Sequence, residues 1–125
     1  MSTDPTTFTS GNGTVAIATG PAGATATFSG AIDDLRPDTF LEPVFAHVHE
    51  AGRTCSAVVL DFRPLDFLNS NGIKCLANYV RRHMATPAAE RYALTLRYTP
   101  AITWQRATLK AIGVMAKDAV TIEGA

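Results

Sequence analysis

Apolar positions along this chain follow two rhythms, and the changes of rhythm mark its elements. After the turn signal Gly11-Asn12-Gly13, the segment Thr14-Val15-Ala16-Ile17-Ala18 places Val15 and Ile17 on one side, which predicts a short strand. Gly20-Pro21-Ala22-Gly23 breaks it. Thr25-Ala26-Thr27-Phe28-Ser29 then alternates again with Ala26 and Phe28 inward, so the pair predicts a hairpin. Alanine gives both strands weak intrinsic preference, and packing must hold them. From Asp38, an N-cap residue type, the residues Phe40, Leu41, Val44, Phe45 and Val48 form one helical stripe running to about Ala51, with Gly52 as its stop. Pro43 falls near the first turn, the part of a helix that tolerates it.

Ser56 to Phe62 is a continuous apolar run, the pattern of a strand covered on both faces. Ile73, Leu76, Ala77, Val80 and Met84 return to helical spacing, with Lys74, Asn78, Arg81 and Arg82 opposite, and this second helix ends near Ala85. Tyr92, Leu94, Leu96 and Tyr98 alternate as a strand that Pro100 ends. Thr103 to Met115 predicts a third helix, offering Ala107, Leu109, Ala111, Ile112 and Met115 for packing and interrupted by Gly113. Ala119 to Ile122 closes the series as a short strand. The order ββαβαβαβ predicts an α/β fold with a mixed, mostly parallel sheet and right-handed crossovers. Residues 1–10, polar and threonine-rich, read as a flexible tail, and residues 11–125 as one domain.

Composition narrows the class. The chain has 125 residues, 46 % hydrophobic and 18 % charged, which suits a globular protein with a real core. Formal net charge is zero and no Lys/Arg run exists, so a nucleic-acid or anionic-membrane partner has no electrostatic footprint. No apolar run approaches the about 20 residues of a membrane span, and the first residues lack the apolar core of a signal peptide, so a cytoplasmic location is expected. Cys55 and Cys75 show no CxxC spacing and read as free thiols, buried or half-buried. His47 and His49, two apart on a helix, point to different faces and make no metal pair. His83 near a helix end reads as a favourable dipole contact, and Trp104 as an aromatic packed at a helix start. Asp61 and Asp66 have no histidine or nucleophile tied to them in sequence. With no G-x-S-x-G, H-E-x-x-H or Walker A loop, the reading is a non-enzyme without cofactor or metal.

The densest positional chemistry is Asp66-Phe67-Leu68-Asn69-Ser70-Asn71-Gly72-Ile73-Lys74, a polar knot between a buried strand and an amphipathic helix. The Ser70 hydroxyl is placed to cap the helix by accepting from free first-turn N–H groups. Gly72 allows close approach of backbone or partner. A phosphate on Ser70 would bring about −1.5 to −2 charges to a helix N-terminus, where anions are favoured. A plain cap and a modification site are both consistent with these residues. For Asn69 and Asn71, turn chemistry and partner contact are equally open.

The string Leu60-Asp61-Phe62 … Phe67-Leu68-Asn69-Ser70-Asn71-Gly72-Ile73 resembles the STAS family (sulfate transporter and anti-sigma-factor antagonist domains). The order of elements is similar from about Thr14 onward, and the string is similar to that family's strand, D-S-S-G-L or N-S-S-G-I, then helix. The resemblance is to bacterial stand-alone STAS-like regulators. It implies a single STAS-like domain that binds a Ser/Thr protein kinase or anti-sigma-type partner, is released by phosphorylation at the knot, and is reset by a PP2C-type phosphatase. Carried over residue by residue, it implies phosphorylation at Ser70 and partner contacts by Asp66, Asn69, Ser70, Asn71, Gly72 and Lys74. Two positions depart from the family pattern: Asn71 stands where anti-sigma-factor antagonists carry the phosphorylated hydroxyl, and Asn69 stands for the usual Asp. A small-ligand or nucleotide-binding module and an unswitched assembly subunit are the alternative readings.

Overall fold

A computed structural model describes residues 6–124. Its elements are β1 (Thr6–Ser10), β2 (Gly13–Gly20), β3 (Gly23–Ile32), α1 (Pro37–Cys55), β4 (Ala57–Asp61), β5 (Leu65–Leu68), α2 (Ser70–Ala85), β6 (Ala93–Tyr98), α3 (Thr103–Met115) and β7 (Val120–Gly124), with one 3₁₀ turn at Ala88–Glu90. The first three strands form an antiparallel meander. Beyond β3 the sheet is parallel: β4 and β5 both pair with β3, β6 with β4, and β7 with β6. Parallel neighbours need long crossovers, and α1, α2 and α3 supply them. This is the mixed, mostly parallel α/β architecture that the order of elements predicts.

Alternation along the strands decides where the core sits. Val15, Ile17, Ala24, Ala26, Phe28, Val58, Leu60, Leu94 and Leu96 are buried, and Thr14, Ala16, Thr25, Thr27, Ser29, Val59, Thr95 and Arg97 between them are half-buried. The helices therefore cover one face of the sheet. Phe40, Leu41, Val44, Phe45 and Val48 of α1, Leu76, Tyr79 and Val80 of α2, and Leu109 and Ile112 of α3 join the buried strand residues in one core. Its centre is aromatic: Phe28 stacks on Phe62 at 4.5 Å between centroids and Phe45 on Tyr79 at 4.9 Å.

Several expectations need correction. Residues 6–10, read as part of a tail, form edge strand β1, with Phe8 opposite Val15; residues 1–5 lie outside the described residues. The run Ser56 to Phe62 is covered on one face only. Val59 is apolar because it lies between Thr25 and Thr95 in the sheet, whose side chains half-bury it without a helix above. Helix α1 begins at Pro37, with Asp38 inside its first turn, and passes through Gly52 to Cys55. Gly52 is a packing position, since a Cβ there would meet Tyr92 Cδ2 and Val58 Cγ2 at 2.8 Å. Ser56 takes the left-handed stop at φ 69°. Helix α3 likewise runs through Gly113, which lies against Ile122, while Ala107 and Ala111 are exposed.

Strand β5, absent from the sequence reading, continues the line of β4 after a break at Phe62-Arg63-Pro64. The β3 side accommodates it with a register shift at Gly30, whose φ of 79° favours glycine and whose Cβ would strike the Asn12 carbonyl. That continuation places the polar knot at the end of a sheet strand.

Candidate functional site

The knot begins where β5 hands over to α2. The Asn69 N–H donates to the Ile32 carbonyl at 3.0 Å, extending the β3–β5 pairing by one step. Its side-chain Oδ1 accepts from the Gly72 N–H at 2.8 Å, and its Nδ2 donates to the Asp34 carbonyl at 2.8 Å. Asn69 is therefore the N-cap, in an extended conformation at φ −73° and ψ 171°. This corrects the expectation that Ser70 caps the helix. Asn wins because its longer amide reaches Gly72 and the β3–α1 loop at once. Asp34 is itself held by the Ser10 hydroxyl, so the β1–β2 turn, the β3–α1 loop and the start of α2 form one linked corner.

Ser70 is the first helical residue and is exposed, and its hydroxyl makes no hydrogen bond among the described residues. Asn71 and Lys74 are also exposed. Asn69 takes the Gly72 and Ile73 N–H groups, and those of Ser70 and Asn71 have no partner among the described residues. No acidic residue stands in the first turn, and Lys74 lies one turn on from Ser70 along the same side. Gly72 is buried: a Cβ there would come within 2.4 Å of Leu68 Cδ1, so glycine lets the first turn settle on β5. Asp66 is exposed on β5. Asp66, Asn69, Ser70, Asn71 and Lys74 thus lie around one corner, with Gly72 beneath it. Two large apolar side chains flank the corner in the open, Leu35 at 92 % exposure in the β3–α1 loop and Phe67 at 47 % in β5.

The corner is supported from below by a residue the sequence reading missed. Gln105 of α3 is fully buried, its Nε2 donates to the carbonyls of Phe62 at 2.6 Å and Leu65 at 2.8 Å, and its Oε1 accepts from the Thr99 N–H at 2.7 Å. It clips together the two ends of the β4–β5 break. The available signal was its spacing, four before Leu109 and seven before Ile112, which puts a polar side chain on the packed face of α3. Beside it, the half-buried Trp104 donates its indole N–H to the Asp66 carbonyl at 2.8 Å.

The remaining polar candidates do not converge. Asp61 is tied to Arg63 by two side-chain hydrogen bonds at 2.9 and 2.8 Å. Burial alone would raise its carboxyl pKa, but the Arg63 bonds, with the charges of Arg63 and Arg97, outweigh that and hold it below the usual range. Asp66 takes no part in this pair. His83 is buried rather than sitting as a surface dipole contact. Its Nε2 donates to the Ala119 carbonyl at 3.2 Å, its Nδ1 has no partner, and burial lowers its pKa. His83 and Tyr79 rotate the packed face of α2 away from the expected Ile73, Ala77 and Met84, which are half-buried. They meet Tyr92, whose hydroxyl bonds Tyr79 at 2.5 Å and His49 Nδ1 at 3.0 Å. Both cysteines are free, and burial pushes the Cys75 thiol up, away from nucleophilic use. Among the described residues no group of three or more His, Cys, Asp or Glu could hold a metal, and no helix is long and apolar enough to cross a membrane.

With a meander leading into parallel crossovers and a polar knot opening α2 at the end of β5, the fold is STAS-like. Among solved structures, the chain is similar to an anti-sigma factor antagonist from Mycobacterium paratuberculosis, with a TM-score of 0.63 over 90% of this chain and 86% of that one. The two are 17% identical, so the likeness speaks for the fold. No family model matches the sequence, and no curated protein matches it in sequence.

Proposed function

We propose that this chain is a non-enzymatic regulatory module that binds a protein partner at the α2 corner and is switched by phosphorylation of Ser70. The observation that carries the reading is the state of Ser70: exposed, first in α2, and with its hydroxyl left free because Asn69 does the capping. A phosphate there would meet the N–H groups of Ser70 and Asn71, unpartnered among the described residues, and the Lys74 ammonium, an arrangement suited to holding an anion. The fold likeness to an anti-sigma factor antagonist supports the same reading. The partner in this reading is a Ser/Thr protein kinase or anti-sigma-type protein, with a PP2C-type phosphatase resetting the switch in the cytoplasm. Asp66, Asn69, Asn71 and Lys74 supply the polar part of the contact. Leu35 and Phe67 supply exposed apolar surface for the contact.

The test is incubation with the cognate kinase and ATP, followed by mass spectrometry and a partner-binding assay. The expected result is one phosphate on Ser70, partner binding retained in Ser70→Ala and lost in Ser70→Asp. Absence of phosphate on Ser70 together with unchanged binding in both variants overturns the switch. Unchanged binding in Leu35→Ser and Phe67→Ser as well moves the contact off this corner.

A further inference from the structure

Beside the knot, α1 and α2 part to leave a cleft of about 390 Å³, within the range of small-molecule sites. Its walls follow helical rows. On α2, Asn71, Cys75 and Tyr79 recur every four residues, from the exposed Asn71 through Cys75 to the buried Tyr79, and Lys74, Asn78 and Arg82 recur along the rim. Phe45 faces them from α1, and its ring stacks face to face on Tyr79 at an interplanar angle of 16°, so the two buried rings close the cleft with an aromatic floor that offers it only their edges. The Tyr79 hydroxyl is engaged by Tyr92, which fixes that floor in place. Cys75 adds a half-buried thiol that burial keeps neutral.

The charges divide between the walls. Asp38 and Glu42 stand on α1, and Arg36 at its start is tied to Asp38 at 3.3 Å. Lys74 and Arg82, on the α2 rim, form no ion pair among the described residues. They are eight residues apart, about 12 Å along the helix. The α2 wall therefore offers two uncommitted cations above an apolar floor, while one of the two opposing carboxylates is already neutralised.

From this arrangement we infer that the α1–α2 cleft binds a small organic anion with an apolar body, its acidic group on Lys74 or Arg82 and its body against Cys75 and the ring edges of Phe45 and Tyr79. The site requires neither phosphorylation of Ser70 nor the presence of a protein partner. It shares Leu35, Asn71 and Lys74 with the proposed partner corner, so an occupant would lie under one edge of that surface.

The probe is 8-anilinonaphthalene-1-sulfonate, which carries fused rings and one sulfonate, titrated into the full chain by fluorescence. Expected are saturable binding at one site, a weakening of about tenfold or more in the double variant Lys74→Glu/Arg82→Glu, and loss in Cys75→Phe, which fills the floor. Saturating dye should also slow alkylation of Cys75 while leaving Cys55, at the far end of α1, unchanged. Circular dichroism shows whether Cys75→Phe is folded; where it is not, the surface charge variant and the alkylation contrast decide. No saturable binding, or binding unmoved by the charge variant with both cysteines alkylated alike, overturns the site.

Discussion

At the residue scale, the α2 corner separates the residue that holds it, Asn69, from the residue proposed for modification, Ser70. Asn69 holds: its side chain makes both the cap and the bond to the Asp34 carbonyl. Asn69→Ala is expected to cost about 0.5–2 kcal/mol in urea denaturation, the ordinary value of a lost cap. Ser70 contributes no such bond, so Ser70→Ala should stay within about 0.5 kcal/mol of wild type. Gly72→Ala pushes against buried Leu68 and should cost about 1–3 kcal/mol. A cost at Ser70 as large as that at Asn69 would show that the hydroxyl has a structural partner. The sequence made this corner visible, because Asn, Ser and Gly cluster there, but it could not rank the two capping oxygens. Reach decides between them, and reach depends on where β3 ends.

Asp61 gives the same scale a pH dependence. Its folded pKa lies below the ordinary 3.8, so between the two values the unfolded chain binds more protons. The Asp61–Arg63 pair therefore stabilises fully above the unfolded value and loses its effect as pH falls through the folded one. His83 acts in the same direction in a higher window, because its lowered pKa makes stability drain as pH falls below 6.5. In denaturation curves from pH 7 to pH 2, Asp61→Asn should flatten the acid part of the slope and leave the part set by His83 and by His49, whose pKa burial also lowers. An unchanged acid slope would remove Asp61 from the account.

At the element scale, the β4–β5 break depends on one side chain. Gln105 bonds two carbonyls and one N–H around the break, and the Phe62 carbonyl among them also accepts from the Leu65 N–H at 2.9 Å. Gln105→Leu keeps the bulk but takes this partner from the Leu65 carbonyl and the Thr99 N–H, and should cost about 2–4 kcal/mol. Amide exchange should quicken at Leu65–Leu68 before it does in β2. The elements most open to sequence reading were those with a single clear period: the β2–β3 hairpin, α2 with its end near Ala85, and β6. Those it missed had mixed signals. In β1, Phe8 is the only large apolar residue among polar ones. In β5, the inward residues are the two ends, Leu65 and Leu68, a spacing that the register shift beside Gly30 permits and simple alternation does not.

For the whole molecule, the one-sided core predicts an uneven response to substitution. Phe28, buried between Phe45 and Phe62, should cost about 3–5 kcal/mol as Phe28→Ala. Its neighbour Thr27 points to the uncovered face, and Thr27→Ser should change stability by no more than about 0.5 kcal/mol by the same denaturation measurement. The fold class was legible because alternating strands and helices permit few arrangements. Coverage of the second face was not, since a run such as Val58-Val59-Leu60 reads alike whether a helix or flanking threonines shield its middle residue.

The Trp104 indole, resting on the Asp66 carbonyl four residues before Ser70, also equips the molecule with an optical gauge. It is the chain's single tryptophan, so tryptophan emission has one source, and that source touches β5, the strand leading into Ser70. Modification of Ser70 that shifts the end of β5 should appear as a change in emission wavelength without any label. Phe67→Ser, at the residue between Asp66 and Leu68, should move the same signal, while Thr27→Ser should leave it still.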